Sequence, residues 1–152
     1  MKKLIIVRGH SGSGKTTFAL NKISEFLQQY PQADIFHIEN DHFLMENGQY
    51  CWTEERFKRA KKLAWEKLQK AFHIVEKSSR DILIIISNVG VNVAEIDRTL
   101  ARAKALNMQT EIYRMTNFFQ NQHNVPVEIV QSMYQSLCEY PIKGEIIISH
   151  YT

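Results

Sequence analysis

Gly9-His10-Ser11-Gly12-Ser13-Gly14-Lys15-Thr16 fits G-x-x-x-x-G-K-[ST], a loop whose backbone N–H groups cradle phosphate oxygens. The three glycines let consecutive N–H groups turn inward on one anion. Lys15 is expected to reach the outer phosphates, and the Thr16 hydroxyl to ligate the Mg²⁺ that travels with the nucleotide. A helix starting at this point adds the positive end of its dipole. The expected ATP-binding residues are Gly9, His10, Ser11, Gly12, Ser13, Gly14, Lys15, Thr16 and Thr17, with Thr16 as the metal ligand.

The flanks distinguish this stretch from a chance match in a Gly/Ser turn. Leu4-Ile5-Ile6-Val7 before it is a short apolar, β-branched run, as in a buried parallel strand. After it, Ala19, Ile23, Phe26, Leu27 and Tyr30 recur at helical spacing, and Pro31 ends the helix.

Further out, Asp34 to Ile38 reads as a second strand, and Glu39 to Trp52 as a polar and aromatic loop. Thr53 is an N-cap with Glu54 and Glu55 in the first turn. The helix it starts runs to about Lys77, its apolar face carrying Phe57, Ala60, Ala64, Leu68, Ala71, Phe72 and Val75. Ile82 to Ile86 is a nearly continuous apolar run, as in a central strand. Asn92 and Glu95 have capping-box spacing before a helix that Asn107 ends. Gln109 to Met115 and Glu145 to Ile148 read as the fourth and fifth strands, with a helix from Pro126 to about Glu139 between them.

Alternation of this kind predicts an α/β chain: a three-layer P-loop NTPase fold with a five-stranded parallel sheet flanked by helices. Ligands of such sheets bind at the carboxyl ends of the strands, here Arg8, Ile38, Ser87 and Arg114. The 152 residues are expected to form one domain, 1–152. Apolar residues at 44% and charged residues at 23% are ordinary for a globular chain. A net charge of +3 neither argues for nucleic acid nor excludes it. Cys51 and Cys138 form no C-x-x-C pair and fit a reducing cytoplasm. The six histidines show no zinc spacing, so no structural metal is expected. The apolar run ending at Arg8 is too short for a signal peptide, and no run of about twenty apolar residues predicts a membrane span.

Three groups are candidates around the phosphate. Asp41, just past the second strand, is the candidate general base that accepts the proton of an attacking hydroxyl; Glu39 is a weaker rival. Ile86-Ser87-Asn88-Val89-Gly90, after the third strand, holds no carboxylate for magnesium. The segment Asn117 to Asn124, the natural lid, holds no arginine, so Arg114 is the first choice for the transferring phosphoryl group, with Arg102 second and Arg98 also nearby. Lys58, Arg59, Lys61 and Lys62 interleave with Tyr50, Trp52 and Phe57, which suits either a solvated helix face or a polynucleotide groove.

With these pieces placed, the chain resembles the P-loop kinases that include the phage polynucleotide 5′-hydroxyl kinases and their cellular relatives. The likeness rests on Met1 to Ile6 running into the phosphate loop and on Asn40-Asp41-His42-Phe43, similar to D-D-[YF]. It also rests on Asn121-Gln122-His123-Asn124-Val125-Pro126 followed by Ile129, Met133, Tyr134 and Glu139-Tyr140, similar to an R-N-x-H-x-V-[PS] lid and its helix. The resemblance places Asp41 on the general-base position and implies transfer of the ATP γ-phosphate to a polynucleotide or nucleoside 5′-hydroxyl. The chain departs from the pattern at Gln120, where the lid arginine stands, at Leu44, where some members carry an arginine, and after the third strand. A small-molecule kinase and a nucleotide-binding or slow NTPase module are the alternatives on this fold.

Overall fold

In chain order the elements are β1 (Lys2–Gly9), α1 (Lys15–Gln29), β2 (Asp34–Ile38), a 3-10 turn (Asn40–Leu44), β3 (Met45–Glu46), β4 (Gln49–Tyr50), α2 (Glu54–Lys77), β5 (Ile82–Asn88), α3 (Val93–Ala105), β6 (Gln109–Met115), α4 (Val127–Glu139) and β7 (Ile146–Ile148). The computed structural model describes residues 1–119 and 125–149. Their main sheet has the order β2-β5-β1-β6-β7, and every pairing in it is parallel.

Two central strands carry the core. Ile82, Leu83, Ile84 and Ile85 of β5 are completely buried, as are Leu4 and Val7 of β1. Alternate residues point to opposite faces of a strand, and the packing separates accordingly. Leu4, Ile6, Ile82 and Ile84 pack with Ala64, Leu68 and Phe72 of α2 and with Ile96 and Ala103 of α3. Ile5, Val7, Leu83 and Ile85 pack with Phe18, Ala19 and Phe26 of α1. The result is the three-layer arrangement that the alternation of strands and helices implies, each fully buried large side chain contributing about 1.5–3 kcal/mol.

Local signals set the ends of the helices. Thr53 Oγ1 accepts from the Arg56 N–H at 3.0 Å, and Asn92 Oδ1 from the Glu95 N–H at 3.1 Å. Each cap stabilises its helix by about 1 kcal/mol. Asn107, with φ 58°, closes off α3 in the left-handed region that asparagine tolerates.

The expected loop from Glu39 to Trp52 has internal structure. Asn47 and Gly48, with φ of 52° and 77°, make the tight turn of the β3–β4 hairpin, both angles being positive as in a type I′ two-residue loop. The Cys51 N–H donates to the Leu44 carbonyl at 2.8 Å and closes its base. Among the described residues, no helix is long and apolar enough to cross a membrane.

Candidate functional site

The phosphate loop leaves β1 at Gly9 and enters α1 at Lys15. Inside it, the Ser13 N–H donates to the His10 carbonyl at 3.2 Å. Gly14 adopts φ 93°, and a Cβ there would meet the Phe119 ring at 3.1 Å, so conformation and space both require glycine. Lys15 Nζ donates to the His10 carbonyl at 3.1 Å. Burial lowers its pKa, and the Asp41 and Glu39 carboxylates oppose that shift. The His10 imidazole is fully buried, stacked on Phe118 at 4.2 Å and edge-on to Tyr134 at 5.5 Å. Burial, with a smaller contribution from Lys15, holds that ring's pKa below its usual value against the opposing Asn117 backbone. Ser13 Oγ is buried without a hydrogen-bond partner among the described residues. A cradle closed to side chains, an orphan hydroxyl and an ammonium on one loop are a donor set suited to phosphate.

Carboxylates reach the loop from the end of β2. Glu39 is 5% exposed. Its Oε1 accepts from Thr16 Oγ1 at 3.0 Å, and its Oε2 from Ser87 Oγ at 3.2 Å. His42 Nε2 and His37 Nε2 lie 3.2 and 3.5 Å from the same Oε2. Burial pushes the Glu39 pKa up, but His42, Thr16 and His37 together hold it below the usual carboxylate value. Asp41 acts electrostatically on Lys15, and its Oδ1 accepts from the Tyr50 hydroxyl at 3.5 Å. Burial and the Asp41 charge push the Tyr50 pKa up to about 12.

The structure therefore brings Lys15, Thr16, Glu39 and Asp41 together, and it changes the weight of Glu39. No carboxylate follows β5, but Glu39, at the end of the neighbouring strand β2, accepts from Ser87 at the end of β5. Asn88, the next residue, accepts from the Asn40 N–H through Oδ1 at 2.8 Å. Spacing alone gave no signal for this, because Thr16 and Ser87 lie 23 and 48 residues from Glu39.

Arg114 is a correction. Its Nε donates to Glu145 Oε1 at 2.9 Å, its Nη1 is 3.6 Å from Cys138 Sγ, and its side chain is 10% exposed. The other oxygen of Glu145 takes Arg8 Nη1 at 2.6 Å, while Arg8 Nε and Nη2 donate to the carbonyls of Gly90 and Tyr140 at 2.8 Å each. One buried carboxylate holds both arginines, so Arg114 is engaged by Glu145 within the fold rather than left free for a phosphoryl group. Arg102, the second choice, is exposed with Glu76 4.0 Å away.

Past β6, the Phe119 N–H donates to the Gly12 carbonyl at 2.7 Å and Asn117 Nδ2 to the Ser13 carbonyl at 3.3 Å. The lid positions Gln120, Asn121, Gln122, His123 and Asn124 lie outside the described residues.

Two cavities meet here. One, of about 590 Å³, covers the loop and is lined by Thr16, Thr17, Glu39, Tyr50, Trp52 and Phe119 among others. The second, of about 710 Å³, has Lys61, Trp65, Arg98 and Arg102 in its wall, beside residues of α2 and α3. Lys15 and Asp41 line both. Of the basic cluster on α2, Lys61 is the member in that wall, whereas Lys58 is exposed and 3.7 Å from Glu54.

No protein-family model matches the chain. Kti12 of Chaetomium thermophilum, in complex with ADP-AlF3, has a TM-score of 0.59 at 13% identity, over 97% of this chain and 89% of that one. A "putative kinase" from Chloroflexus aurantiacus has a TM-score of 0.51 at 22% identity, over 76% of this chain and 58% of its own. At these identities the likeness is one of fold, and the fold is P-loop kinase-like. In sequence, the uncharacterized protein PM0531 of Pasteurella multocida is 50% identical over 149 residues, 97% of this chain and 83% of that protein. The chain belongs to the family of that Pasteurella multocida protein.

Proposed function

We propose that residues 1–152 act as one ATP-dependent phosphotransferase domain that moves the γ-phosphate to a polynucleotide or nucleoside 5′-hydroxyl. The observation that carries this reading is the shared wall: Lys15 and Asp41 line both the cavity over the phosphate loop and the cavity beside α2 and α3. A donor in the first and an acceptor in the second would meet at those two side chains. Lys15 would hold the outer phosphates, and Asp41 would orient the acceptor hydroxyl and take its proton. Thr16 and Glu39 fit Mg²⁺, an oxygen-ligand cation, whose role is to neutralise phosphate charge. Trp65 with Lys61, Arg98 and Arg102 offers the stacking face and cations that a nucleic acid acceptor uses.

One finding favours a second reading, a nucleotide-binding or slow NTPase module. Glu145 engages Arg8 and Arg114; of the described arginines in the cavity walls, Arg8, Arg98 and Arg102, the first is therefore tied up by a carboxylate, and loss of a phosphoryl-directed arginine costs about 10³–10⁵ in rate.

The deciding experiment incubates the protein with γ-labelled ATP, Mg²⁺ and 5′-hydroxyl DNA, RNA, nucleosides or small alcohols. Label in a 5′-hydroxyl supports the proposal. Label in another alcohol overturns the acceptor class, and label only in free phosphate selects the second reading. Lys15→Ala should abolish turnover and weaken ATP binding in calorimetry; unchanged affinity would remove the loop as the site.

A further inference from the structure

His37 and Glu39 lie two residues apart where β2 ends, so both point to the same face. The 3-10 turn that follows brings His42, three residues on, back over Glu39, since i and i+3 eclipse in that geometry. The two rings meet edge to face, centroids 4.9 Å apart at 89°. One ring nitrogen of His37, one of His42 and a Glu39 oxygen all lie within 4.8 Å of one another. Ser87 Oγ completes the group, 2.9 Å from His37 Nε2 and 3.2 Å from Glu39 Oε2. With the ring protons on Nδ1, each imidazole has a lone pair on Nε2, the nitrogen that lies within 3.5 Å of the Glu39 oxygen.

We propose that His37, Glu39 and His42 form a binding site for one divalent transition-metal ion of the Zn²⁺ or Co²⁺ type, adjoining the phosphate loop. Zn–N and Zn–O bonds of about 2.0–2.2 Å place tetrahedral ligands about 3.3–3.6 Å apart. The separations from Glu39 Oε2, 3.2 and 3.5 Å, already approach that spacing. Two imidazoles select against Mg²⁺ and Ca²⁺, which take oxygen ligands. His42, at 44% side-chain exposure, gives the ion an entry path. The site is separate from that of the nucleotide's Mg²⁺ but linked to it, because Glu39 turns Oε2 to the imidazoles and Oε1 to the Thr16 hydroxyl.

The full chain, stripped with EDTA and free of nucleotide, is titrated with Co²⁺ while visible absorption is read, and with Zn²⁺ in a calorimeter. One ion per chain, with a visible Co²⁺ band, is expected. His37→Gln and His42→Ala should each weaken binding at least about 10-fold, the loss seen even when a partner beyond the ligands is removed. Millimolar Mg²⁺ should not abolish the Co²⁺ band. His73→Ala, exposed on α2, should bind like the parent, and circular dichroism checks the fold of each variant. No Co²⁺ band and no Zn²⁺ heat, or equal affinity in the parent and both ligand variants, would overturn the site. Because ATP is absent, none of these outcomes depends on whether the chain transfers phosphate.

Discussion

Glu39 and Glu145 are both buried carboxylates near the carboxyl edge of the sheet, and their surroundings differ in one respect. Glu145, at 5% side-chain exposure, is held between the guanidiniums of Arg8 and Arg114. Its single negative charge is outnumbered by two fixed cations, and none of it remains for a cation from solvent. Glu39, as deeply buried, is held by two hydroxyls and two imidazoles. Such partners orient a carboxylate but need carry no charge, and the fixed cation that feels it, Lys15, belongs to the phosphate loop, so its negative charge can be shared with a cation from solvent. Residue type and burial are therefore the same in a structural knot and in a candidate site; the formal charge of the neighbours separates them.

The largest test of this contrast is Glu145→Gln. It leaves two buried guanidiniums without a counter-ion, and denaturant unfolding should show a loss of about 3–5 kcal/mol. Next is Asp41→Asn, which keeps size and hydrogen bonding but cannot take a proton. Phosphate transfer should fall at least about 10²-fold while ATP affinity in calorimetry changes little; parental transfer would remove Asp41 from the chemistry. Glu39→Gln keeps the shape and removes the charge, so unfolding should change by about 1 kcal/mol or less, although Mg²⁺-dependent ATP affinity drops. A stability loss equal to that of Glu145→Gln would break the comparison. The baseline comes from Thr53→Ala, a cap remote from both carboxylates, with an expected loss of about 1 kcal/mol and no change in ATP affinity.

The sheet was largely legible in the sequence because its signals are local. Asp34–Ile38 and Gln109–Met115 have the boundaries expected of them, and the caps Thr53 and Asn92 bond as their spacing implies. The β3–β4 hairpin did not stand out because two-residue strands have no period to detect, even though Asn47-Gly48 marks its turn. The site was legible where a motif is contiguous, from Gly9 to Thr16. It was not legible where the partner lies far along the chain. Arg114 looked available at a strand end because Glu145, 31 residues on, is joined to it only by the fold. Glu39 looked secondary because Ser87 and Thr16 reach it only once β2, β5 and α1 are assembled. The triad at 37, 39 and 42 escaped a search for zinc spacing because it straddles a strand end and a 3-10 turn.

The bond from Arg8 to Glu145 spans 137 residues, and this has a consequence for the order in which the protein is made. A ribosome delivers β1 first, with a guanidinium at its end that the finished sheet buries completely. Until residue 145 emerges, closing the sheet would bury that cation without its carboxylate, at a cost of several kcal/mol. The central strand is thus made well before the partner that secures its buried end. A nascent chain halted before Glu145 should remain open and sensitive to protease.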